Sequence, residues 1–160
     1  MSNLRIGIGY DVHRLESNLP FIIGGVKLNH HKGIVAHSDG DIIYHTIADA
    51  LLGAAALGDI GHFFPDTDLK NKDLDSSIIL SAVVDKLQKI SYSIINIDVS
   101  LVLEKPKIQP YVLQIRESIS QLMKLDLDVV SVKATTTEKM SFIGLEQGLS
   151  CYSVVLIEKK

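Results

Sequence analysis

Residues 4–13, LRIGIGYDVH, alternate between apolar and other side chains. This two-residue period places successive side chains on opposite faces and predicts a β-strand. The apolar side chains that share one face are Leu4, Ile6, Ile8, Tyr10 and Val12. Asp11 and His13 share the other face, roughly 6.6 Å apart at Cα. Two such ligand types aimed into the same space suit a metal or a phosphate, and a solvated strand end would account for them equally well.

The rest of the chain alternates predicted strands with predicted helices, joined by short connections. The strands are 4–12, 21–28, 95–103, 128–134 and 149–158, the helices are about 41–57, 76–90 and 107–125, and the connections at 14–20 and 58–68 have turn or loop composition. Ser38 and Asp39 are predicted to supply capping oxygens to the first helix, and Gly58 to end it. Pro110 lies in the first turns of the last helix, where proline is tolerated.

Composition and charge limit the class of protein. A chain of 160 residues with 46% hydrophobic content can bury a sizeable core. With the order of elements, this predicts one α+β domain over residues 1–160, with helices packed on one face of a mixed β-sheet. The net charge of −3 and the scattered Lys and Arg residues argue against a nucleic-acid partner.

The compartment is predicted from the single cysteine and from the absence of targeting signals. Cys151 lies in an apolar strand and has no second cysteine to pair with, so we expect a buried thiol in a reducing, cytoplasmic environment. No basic, apolar and cleavable leader precedes the first strand, so we expect no signal peptide. The uncharged apolar runs fall well short of the ~20 residues that span a bilayer, so we expect no membrane segment.

The first predicted helix carries a stripe of metal-ligand residues. Asp41, His45 and Asp49 recur at intervals of four, which places them along one side of the helix. His45 alone would be explained as a hydrogen-bonded core residue. Together with Asp11 and His13, it completes the ligand set of a tetrahedral zinc with one open position. Asp41 and Asp49 are then candidates for orienting the His45 ring, and the alternative for both, above all for Asp41, is a helix cap or a solvated carboxylate.

The segment KATTTEKMSF, residues 133–142, follows a predicted strand and offers groups that suit phosphate. Its three threonines supply hydroxyl and backbone N–H donors. Glu138 could hold a hard cation such as Mg²⁺ or Mn²⁺, which bridges phosphates. A helix cap of the Thr-x-x-Glu type is the alternative. The turn EKPKIQP, residues 104–110, is either a basic ligand contact or a solvated loop.

Taken together, GYDVHR, AHSDGD, the helix with His45, LGDIGHFFPDTD, the Pro-Lys turn and KATTTEK resemble the 2-C-methyl-D-erythritol 2,4-cyclodiphosphate synthase family of the non-mevalonate isoprenoid pathway. The resemblance runs nearly end to end, with the motifs in the family's order. It implies a homotrimer with each active site between adjacent subunits. It also implies conversion of 4-diphosphocytidyl-2-C-methyl-D-erythritol 2-phosphate into the cyclic diphosphate, with release of CMP.

The resemblance also implies roles for individual residues. Zn²⁺ or another divalent transition metal would be held by Asp11, His13 and His45, and Mg²⁺ or Mn²⁺ by Glu138. His37 and Thr136 match positions credited with stabilising the transition state. The residues implied in binding the erythritol phosphate are His37, Ser38, Asp59, Ile60, Gly61, Phe64, Pro65, Asp66, Thr67 and Asp68. Those implied in binding the cytidine diphosphate are Leu103, Glu104, Lys105, Pro106, Lys107, Ile108, Gln109, Thr135, Thr136, Thr137 and Glu138, with Phe142 nearby. Asp11, Val12, His13 and Leu145 are also implied in substrate binding.

One position departs from the family, and two other classes of function stay open. Leu145 stands where many relatives carry an arginine linked to anion or isoprenoid-phosphate binding along the trimer axis, so such a pocket is in doubt. A metal-dependent phosphohydrolase would use the same zinc to activate water and yield linear products. A non-catalytic trimer that binds metal or nucleotide would use the same ligands and leave the substrate unchanged.

Overall fold

A five-stranded mixed β-sheet forms the centre of this computed structural model, which describes residues 3–36, 38–65, 67–68, 71 and 74–160. The strands are β1 (Leu4–Ser17), β2 (Ile22–Ile23), β3 (Val26–Lys27), β4 (Lys32–Val35), β5 (Tyr92–Val102), β6 (Val130–Thr135) and β7 (Gly148–Lys159). The order across the main sheet is β4-β1-β7-β5-β6, while β2 and β3 form a separate two-stranded ribbon. Only β5 and β6 pair in parallel; the other pairs of the sheet are antiparallel.

The helices are α1 (Ile42–Ala54), α2 (Ile60–Phe63), α3 (Ser76–Lys89), α4 (Val112–Met123) and α5 (Ser141–Gly144), with 3₁₀ turns at Gln109–Tyr111 and Leu127–Val129. The predicted α+β class with helices on one face of a mixed sheet is confirmed. One face of β5, β6 and β7 is buried against α1, α3 and α4. None of the helices in the described part of the chain is long and apolar enough to cross a bilayer.

Several predicted boundaries were wrong for identifiable reasons. The first strand continues to Ser17, through residues predicted as a turn, because its end pairs with β4, a short strand that the sequence analysis missed. The predicted strand 21–28 is two short strands, since Gly24 and Gly25 have positive φ and turn the chain back. The predicted loop 58–68 contains α2, capped by Asp59.

The cap of α1 also differs from the prediction. Its N-cap is Asp41, which accepts hydrogen bonds from the backbone N–H groups of Ile43 and Tyr44, and not Ser38 or Asp39. The helix ends at Ala54, before the predicted stop at residue 58. Asp41 also accepts from the backbone N–H groups at 24 and 25, so this one buried carboxylate joins α1 to the turn between β2 and β3.

Two glycines let α1 lie directly against β1. A Cβ added at Gly7 would be 1.9 Å from the Ala50 carbonyl oxygen, and one at Gly9 would be 2.0 Å from the Thr46 carbonyl oxygen. Any other residue there would push the helix away from the sheet. This close approach brings the helix within reach of the polar side chains that follow on the same face of β1.

The alternating apolar face of β1 is the uncovered face of the sheet. The exposed fractions of Ile6, Ile8, Tyr10 and Val12 are 71%, 67%, 51% and 44%. Tyr152 on β7 extends this surface, with its ring 4.7 Å from that of Tyr10. The helices instead cover the face that carries Gly7, Gly9, Asp11 and His13, because only small residues admit a helix so close to the strand.

Candidate metal centre and active site

The structure brings together the three predicted metal ligands, two from β1 and one from α1. The Asp11 Oδ2 atom lies 3.3 Å from His13 Nε2 and 3.3 Å from His45 Nδ1. One ligand atom of each residue lies within 4.8 Å of the others, and the two imidazole rings meet edge to face at 5.6 Å. The two-residue period of β1 and the position of His45 on the first helix predicted that these three side chains come together, and the structure confirms this.

The state of His13 suits a metal ligand. Its Nε2 atom is buried and, despite lying near Asp11 Oδ2, makes no hydrogen bond to any described residue. Burial lowers the pKa of His13, and the nearby Asp11 carboxylate opposes this only in part. A neutral imidazole with an unpartnered buried nitrogen beside a carboxylate is ready to ligate a cation. Two imidazoles and one carboxylate fit zinc or a similar divalent transition metal.

A hydrogen-bonded pair of side chains orients the third ligand, His45. Its Nε2 atom lies 2.9 Å from Ser76 Oγ, at the start of α3, and 3.2 Å from Ser38 Oγ. Ser76 Oγ in turn donates to Asp39 Oδ1. Because the only hydroxyl proton of Ser76 goes to Asp39, its oxygen accepts from His45 Nε2–H. The Nδ1 atom of His45 then carries no proton, and it faces the Asp11 carboxylate.

The carboxylates predicted to orient His45 have other partners. Asp41 is fully buried as the cap of α1, and burial raises its pKa. Asp49 Oδ1 accepts the backbone N–H of Ile60 at 2.8 Å, and burial likewise raises the pKa of Asp49. The alternative role of Asp41 as a helix cap is therefore confirmed. The prediction that Asp49 orients His45 was wrong, because Asp49 lies one helical turn beyond the ring and faces α2. The actual partner, Ser76, comes from a distant helix.

A cavity of about 320 Å³ opens beside the metal ligands. Its lining residues are His13, Val35, Ala36, Ser38, His45, Ile60, Gly61, Phe64, Asn71 and Ile79. Four of these, Ser38, Ile60, Gly61 and Phe64, belong to the segments that the resemblance assigns to the erythritol phosphate. Asp59 caps α2 by accepting from His62 N–H, which presents the backbone at 60 and 61 toward this space.

A second cavity, of about 330 Å³, lies at the ends of β5 and β6. It is lined by Leu103, Glu104, Pro106, Lys107, Ile108, Gln109, Val112, Lys133, Ala134, Thr135 and Thr136, and thus combines the Pro-Lys turn with the start of the threonine run. Lys133 was not among the predicted site residues. Its Nζ atom lies 2.5 Å from both carboxylate oxygens of Asp98, which lies on β5 two residues before Ser100, the cross-strand partner of Lys133. The sequence did contain a signal for it, because Lys133 is the basic residue that begins the segment 133–142, which was predicted to offer groups that suit phosphate.

The turn that carries Glu138 is held by Glu104. The Glu104 Oε1 atom accepts from Thr137 N–H at 3.0 Å, from the Thr137 hydroxyl at 3.1 Å and from Lys139 N–H at 3.2 Å. Glu138 and Lys139 both have left-handed backbone conformations, with φ of 53° and 62°. Non-glycine residues adopt this region only when their surroundings hold them. Glu138 itself is exposed and accepts from the Thr136 hydroxyl at 2.9 Å.

The remaining predicted site residues fall into three groups. His37 and Asp66 lie outside the described residues. Pro65, Thr67 and Asp68 are exposed beyond α2, and Val12, Phe142 and Leu145 are exposed at or near the uncovered face. Glu138 does not join Asp11, His13 and His45 in the ligand cluster, and the two cavities have no lining residue in common. Among the described residues, the predicted site is therefore divided in one chain between two separate places. One is the cavity beside the Asp11, His13 and His45 cluster, and the other is the cavity beside the threonine run.

Known proteins are similar to this chain over almost its whole length. A model of the YgbB family matches residues 4–158. The chain is 51% identical over 155 residues to 2-C-methyl-D-erythritol 2,4-cyclodiphosphate synthase of Idiomarina loihiensis, covering 97% of this chain and 98% of that relative.

Two solved structures are similar in fold and sequence. The first, bifunctional IspDF from Campylobacter jejuni, has a TM-score of 0.96 and 39% identity over all of this chain, which spans 43% of that longer protein. The second, a CDP complex of IspF from Plasmodium falciparum, has a TM-score of 0.88 and 35% identity, and the match covers 100% of this chain and 99% of that one.

Proposed function

The chain belongs to the YgbB family, and from that premise we propose that it converts 4-diphosphocytidyl-2-C-methyl-D-erythritol 2-phosphate into 2-C-methyl-D-erythritol 2,4-cyclodiphosphate and CMP. It is an enzyme of isoprenoid biosynthesis. The observation that carries the proposal is the Asp11, His13 and His45 cluster at the mouth of a cavity that also holds Ser38 and the backbone of α2.

The reaction closes a ring within one molecule. An oxygen of the 2-phosphate attacks the β-phosphorus, the bond from that phosphorus to the CMP oxygen breaks, and the electron pair leaves with CMP. No covalent protein nucleophile is required. The protein must instead bend a flexible polyanion until its ends meet, and positioning of this kind contributes roughly 7–11 kcal/mol. A divalent cation in the Asp11, His13 and His45 cluster would polarise one phosphate.

The chain's own groups then act on the substrate as follows. The backbone at 60 and 61, held by Asp49 and Asp59, positions the erythritol phosphate in the first cavity. Glu138 faces the diphosphate and would hold Mg²⁺ or Mn²⁺, while Thr136 and His37 donate hydrogen bonds as charge moves onto the leaving oxygen. The cytidine end occupies the second cavity, whose Lys107 and Lys133 offer positive charge.

The enzyme is proposed to act as a homotrimer. The uncovered face of β1 and β7 supports this, because a soluble monomer rarely exposes so many contiguous apolar side chains. The separation of the two cavities in one chain supports an active site completed by the adjacent subunit. A reducing, cytoplasmic location belongs to the same proposal and is supported by the unpaired, buried Cys151.

The activity is tested by incubating the protein with the cytidyl substrate, Zn²⁺ and Mg²⁺, and following the reaction by ³¹P NMR. We expect CMP and the cyclic diphosphate in equal amounts. Linear phosphate products would support a phosphohydrolase instead. Unchanged substrate at saturating metal would support a non-catalytic binding protein.

The trimer is tested by placing a charge on the uncovered face. Ile8→Glu puts a carboxylate in the centre of this face, where the side chain is 67% exposed in one chain. We expect monomers by light scattering and loss of turnover, because burying an unpaired charge in an interface is costly. The matched control is Ile78→Glu on α3, a side chain that is 53% exposed away from the sheet. If Ile8→Glu stays trimeric, the interface lies elsewhere.

A further inference from the structure

A second group of metal-ligand side chains lies apart from the proposed active-site metal. His30 and His31 precede β4, and Glu146 follows α5; one ligand atom of each residue lies within 4.8 Å of the others. The two segments are tied together, since the Lys32 ammonium donates to the Glu146 carbonyl oxygen at 2.6 Å. The segments that carry the three side chains are therefore joined by a side-chain-to-backbone hydrogen bond that uses none of the ligand atoms.

His30 shows the same feature that marks His13 as a metal ligand. Its Nε2 atom is buried and has no hydrogen-bond partner among the described residues. The ring is oriented by edge-to-face contacts with the core residue Phe21, at 5.6 Å, and with His31, at 4.4 Å. Burial, and then the neighbouring His31, lowers the pKa of His30, so the imidazole is neutral near pH 7. A buried nitrogen without a hydrogen-bond partner destabilises the fold, and a bound cation would relieve this cost.

We propose that His30, His31 and Glu146 bind a divalent transition metal such as Zn²⁺ or Co²⁺ at a second site. Two imidazoles and one carboxylate form the same donor set as Asp11, His13 and His45. This set favours borderline metals over Mg²⁺ or Ca²⁺, which prefer oxygen ligands. Three protein ligands leave a further position for water.

The Lys105 side chain competes with the metal for Glu146. Its Nζ atom lies 2.9 Å from Glu146 Oε1, and the two side chains are 65% and 25% exposed. An ion pair this exposed is weak, so a divalent cation with two imidazole ligands displaces it at little cost. Lys32 remains on the backbone carbonyl, where it does not occupy the carboxylate. Metal binding and the Lys105 contact therefore exclude each other.

The site is tested by counting metal, without any need for turnover. The full-length, metal-free protein is titrated with Co²⁺ in the absence of nucleotide, and bound metal is measured by equilibrium dialysis and visible absorption. We expect the unsubstituted protein to bind one more equivalent per chain than either His31→Gln or Glu146→Gln. These positions are preferred to His30, whose ring packs on the core. His62→Gln, an exposed histidine on α2, is the control and should retain the extra equivalent.

A second variant tests the competition directly. Lys105→Gln removes the ammonium from Glu146, so the affinity of the second site should rise by up to about fivefold, the equivalent of a surface ion pair. His45→Ala should leave this site intact while emptying the other. The proposal is overturned if no metal binds beyond the Asp11 cluster, if the extra metal survives both His31→Gln and Glu146→Gln, or if Lys105→Gln lowers its affinity. None of these results bears on the cyclising activity, so the two proposals fail independently.

Discussion

Ser76 Oγ lies 2.9 Å from His45 Nε2 while its own proton is given to Asp39, so one serine sets the tautomer of a metal ligand. The contact joins α3 to α1, and it leaves the Nδ1 atom of His45 free for the cation. Loss of such a hydrogen bond to the second ring nitrogen of a metal-ligating histidine typically lowers metal affinity or activity by about 10–100-fold.

The first prediction follows from this contact. Ser76→Ala removes the nearer acceptor of His45 Nε2–H and leaves only the Ser38 hydroxyl at 3.2 Å. The ring is then held less firmly in the tautomer that leaves Nδ1 unprotonated, and we expect zinc affinity to fall by about 10–100-fold. Ser77→Ala, one residue further along the same helix, is the control and should bind zinc normally. Competition with a chromophoric chelator gives the two affinities. Equal zinc binding by both variants would mean that the Asp39–Ser76 pair does not act on the metal site.

The second prediction concerns the ligand itself. His45→Ala should abolish zinc at the Asp11 site and abolish activity while leaving a folded protein, because a core of this size forms without a metal. Zinc content, circular dichroism and light scattering on this variant separate a catalytic from a structural role. An unfolded or aggregated variant would indicate a structural zinc. A folded variant that keeps stoichiometric zinc would show that His45 is only a core histidine.

The third prediction concerns Glu138. Glu138→Gln keeps the shape of the side chain and its contact with Thr136 but removes the charge. We expect zinc binding to be spared and turnover at limiting Mg²⁺ to fall, because a neutral amide is a poor ligand for a hard cation. Glu117→Gln, on the exposed side of α4, controls for loss of a surface charge. Unaltered turnover at limiting Mg²⁺ would remove Glu138 from the mechanism.

The fourth prediction concerns the contact of α1 with β1. Gly9→Ala places a Cβ 2.0 Å from the Thr46 carbonyl oxygen, so the helix must move, and we expect the free energy of unfolding to fall by about 1–3 kcal/mol. Zinc affinity should fall with it, because His45 moves with the helix. Gly53→Ala meets nothing within 4 Å and should instead raise stability by about 0.5–1 kcal/mol through helix propensity. Urea unfolding measures both, and equal stability of the two variants would contradict the packing described.

The fifth prediction concerns Cys151. Burial raises the pKa of this thiol from 9.0 to about 12, so at pH 8 the folded protein holds about a thousandfold less thiolate than an ordinary cysteine. Alkylation followed by mass spectrometry should be negligible in the folded state and complete in urea. Above pH 9 the unfolded chain loses a proton that the folded chain keeps, so this group's contribution to stability falls as pH rises toward 12. Rapid alkylation of folded protein at pH 8 would contradict its burial.

The sequence by itself determined the long strands and helices and the chemistry of the metal site. The two-residue period of 4–13 placed Asp11 and His13 on one face, and the helical stripe supplied His45, because local periodicity depends only on neighbours along the chain. The helices at 76–90 and 107–125 were predicted within a few residues for the same reason. The motifs were long enough to indicate the family, and the YgbB family model matches residues 4–158.

Only the tertiary structure decided which surfaces meet. The apolar face of β1 is the uncovered one, because Gly7 and Gly9 admit α1 on the opposite face, and no pattern of hydrophobicity along one strand contains that steric fact. Ser76 became the partner of His45 because α3 packs beside α1, 31 positions away in the sequence. His30, His31 and Glu146 came together in the same way. Contacts between residues distant in the chain depend on how closely helices and strands pack against each other, and these distances are set only in the complete folded structure.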